Sequence, residues 1–90
     1  MRSKSKSFLY EFTRHARDRQ GERGIPTCLV RLAIDRGRPV VGAGRVRFVL
    51  RVTDLDAAGF GPGGRGIEVV VCGRRILTVM WNEEAARGAV

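Results

Sequence analysis

Apolar and polar positions follow two different periods along this chain, and the change falls near Pro39. Before it, Phe8, Leu9, Phe12 and Ala16 recur at the three- and four-residue steps of one buried helix face. Ser7 is placed to cap that helix and Gly24 to stop it, so the pattern predicts a first helix from Ser7 to about Arg23. Ile25-Pro26 opens a second helix, with Pro at the first helical position, Leu29, Leu32 and Ala33 on one face, and Gly37 at its end. A strand over Cys28–Ile34 is the rival reading, and the flanking Pro and Gly favour the helix.

Beyond Pro39 the period becomes two. Val40-Val41 reads as a short strand and Gly42-Ala43-Gly44 as a turn or bulge. Arg45–Thr53 alternates, with Val46, Phe48, Leu50 and Val52 on one face and Arg45, Arg47, Val49 and Arg51 on the other. That is a half-buried strand whose outer face shows three arginines. Asp54–Ala58 reads as a loop or single turn. Phe60–Gly66 has the glycine content of a phosphate loop without its G-K-[ST] ending, so it reads as a flexible connection. Two apolar runs, Ile67–Cys72 and Ile76–Trp81, flank the two-residue connection Gly73-Arg74 and read as a central hairpin. The predicted fold class is α+β, with two N-terminal helices packed on a three- to four-stranded antiparallel sheet. The domain spans 7–83, between a basic tail at 1–6 and a C-terminal tail at 84–90.

Composition narrows the class. Ninety residues, 43% hydrophobic and 29% charged, suit one small soluble domain. No apolar run approaches the ~20 residues of a membrane span. The basic N-terminus leads into no signal-type apolar core before Glu11. The expectation is a cytoplasmic protein with no membrane partner. Cys28 and Cys72 lack metal-ligand spacing and sit among apolar neighbours, which favours buried core thiols over a disulfide or a nucleophile. No metal and no cofactor is expected.

Charge changes the picture more. The formal net charge is +8, and residues 1–53 carry thirteen Lys or Arg against four Asp or Glu. A basic half of this kind suits nucleic acid, an anionic membrane surface or an acidic protein partner, and nucleic acid or an acidic protein is the expectation here. Within it lies H-A-R-D-R-Q-G-E-R-G-I, His15 to Ile25, holding the single histidine. On a helix His15, Arg19 and Arg23 fall along one ridge, a cationic stripe beginning with an imidazole.

This segment is similar to the opening H-A-x-x-R-M-x-E-R-G-I of a family of small bacterial domains related to the BrnT toxins and, more distantly, the RelE/ParE toxins of toxin–antitoxin systems. The closing V-V-V-C-G-R-R-I-L-T-V-M-W-N resembles that family's final hairpin, and the likeness runs from Thr13 to Asn82. Gln20 stands where the family has an apolar residue, and Met80-Trp81 where a tyrosine is common. The resemblance implies a metal-independent ribonuclease acting on RNA, held by an acidic antitoxin. His15 would serve as general acid or base, and Arg19 and Arg23 would clamp the phosphate. Arg45, Arg47 and Arg51 would track the RNA backbone, and Trp81 would stack a base. Structural readings stand beside each role. His15 can pack at the border of the helix face, Arg19 can pair with an acid, Arg23 can bond the last helix carbonyls, and Trp81 can be core. The alternatives to a nuclease are a catalytically silent binding module, or a phage or mobile-element inhibitor, that uses the basic surface for nucleic acid or an acidic protein.

Overall fold

The computed structural model describes residues 6–51 and 66–82. The connection at 52–65 and both tails lie outside them, and with them the expected loop at Asp54–Ala58, the glycine-rich Phe60–Arg65, and Val52-Thr53 at the end of the alternating strand.

A single 3-10 turn, Lys6–Leu9, opens the described chain. There follow β1 (Glu11–Phe12), α1 (Arg14–Arg23), α2 (Thr27–Arg36), β2 (Arg38–Gly42), β3 (Arg45–Leu50), β4 (Gly66–Cys72) and β5 (Arg75–Asn82). The strands form one five-stranded sheet in the order β1-β5-β4-β3-β2. β1 runs parallel to β5, and the other pairs are antiparallel. The sheet is therefore mixed, and a strand precedes both helices. The expectation of two leading helices on a three- to four-stranded antiparallel sheet is corrected on both counts.

The reason lies between Ser7 and Thr13. Instead of capping an α-helix, Ser7 lies within the 3-10 turn, and its backbone N–H and hydroxyl both donate to the Asp35 carboxylate, at 2.9 and 3.1 Å. The Arg31 guanidinium donates to the Ser7 carbonyl at 2.9 Å. Glu11 and Thr13 donate their N–H groups to the carbonyls of Arg74, in the turn before β5, and Ile76, within it. These long-range partners satisfy backbone groups that a helix would have paired locally. The cap of α1 is consequently Thr13, not Ser7. Its hydroxyl accepts from the Ala16 N–H and donates to the Ile76 carbonyl.

α1 ends at Gly24, whose φ of 64° lets Ile25 donate back to Gln20 and Gly24 donate back to Gly21. This 6→1 and 5→2 pair is a Schellman closure, and Ile25 is buried beside it. Only Ala16 of α1 is buried, so the helix depends on these end contacts more than on an apolar face. Pro26 caps α2 one residue ahead of its expected helical position. Leu29, Val30, Ala33 and Ile34 form the buried side of α2. α2 packs on β3 and β4, and α1 on β5.

The core fills the space between these helices and one face of the sheet, with Leu50, Ile67, Val69, Ile76 and Val79 fully buried. Both cysteines are exposed, which corrects the expectation of core thiols. Cys28 faces away from the buried side of α2. Cys72 ends β4 at the hairpin turn, where its Sγ lies 3.6 Å from the Gly44 carbonyl.

Candidate functional site

β3 alternates in burial and its register carries the same two rows into β4, whose side chains are buried on both faces up to Cys72, so each strand presents one row to the helices and one to the opposite side. Phe48 and Leu50 on β3, with Ile67, Val69 and Val71 on β4, take the helix side. Arg45, Arg47 and Val49, with Glu68, Val70 and Cys72, therefore take the other, which no described helix covers. On β5 a bulge opposite Val70/Val71 inserts Leu77 ahead of Thr78. The bulge places Leu77 and Thr78 beside Met80 on this open face, bends the strand and hollows the sheet. A cavity of about 570 Å³ lies there. Val40, Val70, Leu77 and Met80 form its apolar floor, and Arg45 and Arg47 stand on its β3 side.

Cross-strand register fixes the layout. One row runs Val40, Arg47, Val70, Thr78, and the next runs Arg38, Val49, Glu68, Met80. Glu68 is only 6% exposed and is held by Arg47 at 3.3 Å and by the Asn82 amide at 2.8 Å. Half of the Arg47 side chain stays in solvent. Arg38 and Arg45 are exposed and make no ion pair among the described residues. Sequence reasoning missed Arg38, Glu68 and the apolar floor. Arg38 was legible only once β2 reached back to it, and the floor depends on the bulge at Leu77.

The residues singled out in the sequence divide between two sides of the sheet. Arg45 and Arg47 share the open face, with Arg51 exposed just past the end of β3. His15, Arg19 and Arg23 lie on α1, across the sheet from them. Comparison with known families, curated proteins and solved structures yields no match to this chain.

On α1, His15 is exposed in the first turn, and no hydrogen bond or ion pair holds it among the described residues. Arg19 pairs with Glu22 one turn along. Arg23 donates to the Val79 carbonyl at 2.8 Å, while the indole N–H of Trp81 donates to the Arg23 carbonyl at 2.8 Å. Trp81 is half-buried against the core on the helix side. Gln20 joins the helices, its amide donating to Thr27 Oγ1 at 2.7 Å. Arg17 stacks 3.8 Å from the centre of the Phe12 ring. Among the described residues, no three of His, Cys, Asp and Glu group to hold a metal ion, and no helix is long and apolar enough to cross a membrane.

Proposed function

We propose that this domain is a binding module of the cytoplasm that holds an acidic segment of a partner protein on the open face of its sheet. The observation that carries this reading is the composition of the face. It sets the exposed arginines Arg38, Arg45 and Arg47, on β2 and β3, beside the aliphatic side chains of Val70, Leu77 and Met80 on β4 and β5, with Arg47 standing between Val40 and Val70. Apolar anchors on a partner would bury against the floor, and its carboxylates would meet guanidinium groups at the edge.

A single-stranded nucleic acid calls for flat aromatic platforms beside its phosphate contacts. The described part of this face has none, since Trp81 is turned toward α1. An acidic partner is also what the resemblance to antitoxin-bound toxins implies. The ribonuclease that the same resemblance implies draws less from the geometry. Among the described residues His15 stands without a second proton carrier at hydrogen-bonding distance, and Arg19 and Arg23 are engaged elsewhere.

Fluorescence anisotropy with a labelled Glu/Leu peptide and with a single-stranded RNA of equal length tests the reading. The peptide should bind the wild type more tightly than the RNA, and Arg45→Ala should weaken the peptide several-fold without changing the melting temperature. Tight RNA binding with a steep salt dependence, and none of the peptide, would overturn it.

A further inference from the structure

We infer that the partner segment lies across the open face as an amphipathic α-helix and is not added to the sheet as an extra strand. The inference rests on the acidic-segment reading and narrows it.

Strand addition needs a free sheet edge with outward-pointing donors and acceptors. The outer edge is β2. Its turn to β3 is the two-residue Ala43-Gly44, with φ of 53° and 74°. In such a hairpin the flanking pair Gly42 and Arg45 exchanges both hydrogen bonds, and bonded and outward-facing residues then alternate. Gly42, Val40 and Arg38 bond to β3, so Val41 and Pro39 aim their backbone away from the sheet. Proline has no N–H. The outward edge of β2 is left with one donor, at Val41, and an incoming strand would lose the next bond of its ladder at Pro39.

The opposite edge is closed by other means. β1 covers β5 only at Arg75 and Ile76. Further along, Arg23 already occupies the Val79 carbonyl, and α1, held to β5 by this bond and by the Trp81 indole, packs against that strand where an added strand would approach. Neither edge offers the run of backbone groups that strand addition requires.

The face itself suits a helix. The three gaps between β2 and β5 make it ~14 Å wide at about 4.8 Å per gap, and a helix with its side chains is ~10–12 Å across. Strands of five to eight residues run about 17–26 Å at ~3.3 Å per residue, enough for some three turns of helix. Val40, Val70, Leu77 and Met80 would receive an i, i+3, i+4, i+7 stripe. Arg38, Arg45 and Arg47 stand on β2 and β3, whereas Val70, Leu77 and Met80 stand on β4 and β5, so the helix would carry its carboxylates on the β2–β3 flank, with Arg47 reaching up between Val40 and Val70.

Isothermal titration with three synthetic 14-residue peptides and one RNA separates the possibilities. The first peptide carries Leu at the stripe positions and Glu on one flank, in a helix-favouring background. The second has the same Leu and Glu content arranged in strict alternation in a Thr-rich, strand-favouring background without proline. The third replaces Glu by Lys. The first should bind, the second should lose about tenfold or more, and the third should not bind at all. Arg45→Glu should weaken the first peptide at least about tenfold. Pro39→Val, which restores the edge donor, should leave that affinity unchanged.

Equal binding of the first two peptides, or a second peptide that gains affinity in Pro39→Val, would overturn the helix while leaving an acidic partner in place. Binding of RNA alone would remove the acidic partner and the helix with it.

Discussion

Replacing Arg23 by methionine tests whether this arginine serves the fold or an external phosphate. Met retains an unbranched stem and removes only the guanidinium, so lost packing is kept small. In the wild type that guanidinium donates to the Val79 carbonyl, on a stretch of β5 that β1 does not reach. A hydrogen bond from a charged donor contributes roughly 1.5–3 kcal/mol. Because Arg23 is exposed on its outer side, the low end applies, about 1.5 kcal/mol. In a chain of ninety residues that corresponds to a fall in melting temperature of about 6–12 °C. Trp81→Phe removes the reciprocal bond from the indole N–H to the Arg23 carbonyl and should cost about 1 kcal/mol, or some 4–8 °C. Circular dichroism melts of both variants measure the effect, with titration of the acidic peptide as the second readout. Peptide affinity should stay at the wild-type value, because both residues lie across the sheet from the open face. An Arg23→Met protein that melts within about 2 °C of the wild type would refute the structural assignment and free Arg23 for the phosphate-clamping role.

Two further outcomes follow from single residues. His15→Ala should shift stability by less than about 0.5 kcal/mol, because the imidazole is exposed and makes no hydrogen bond among the described residues. Growth arrest by the wild type that the same change abolishes would support the ribonuclease over the binding module. Gly37→Ala should cost about 2 kcal/mol, because the added Cβ would run into the Ala33 carbonyl oxygen and the backbone of Val49; a thermal melt that does not move would show that the α2–β3 junction can give way.

Legibility in the sequence followed the range of the interaction. α2 lies between the Pro26 and Gly37 signals, and the Arg45–Leu50 alternation appears as the two faces of β3, because each is set by neighbours within one turn or one strand. Gly73, at φ 60°, turns β4 into β5. β1 was not legible. Two residues carry no period, and their pairing with Arg75 and Ile76 joins segments more than sixty residues apart. The helical spacing of Phe8, Phe12 and Ala16 was real but served another purpose. Arg17 and Arg31 stack on the Phe12 ring, and Arg31 also stacks on Phe8, so these rings pack against guanidinium groups outside a helix. The candidate residues divided for the same reason. A stripe on α1 and a row on β3 can each be read locally, but which side of the sheet they occupy is a tertiary fact.

Net charge is a poor count of the surface available to a partner. Several arginines work inward. Arg23 closes the Val79 carbonyl, Arg31 holds the Ser7 carbonyl and faces two rings, and Arg47 neutralises the buried Glu68. Each donates to an oxygen that the sheet or the 3-10 turn would otherwise leave without a charged partner, so removing it should show first in a melting curve. Arg38 and Arg45 have no such duty among the described residues. They sit beside an aliphatic floor, so their charge would act together with apolar burial, the term that salt does not screen. Partner binding at this face should therefore keep much of its strength at moderate ionic strength, whereas binding driven by the full +8 would collapse. The salt dependence of the acidic peptide's affinity measures how the arginines divide between fold and surface.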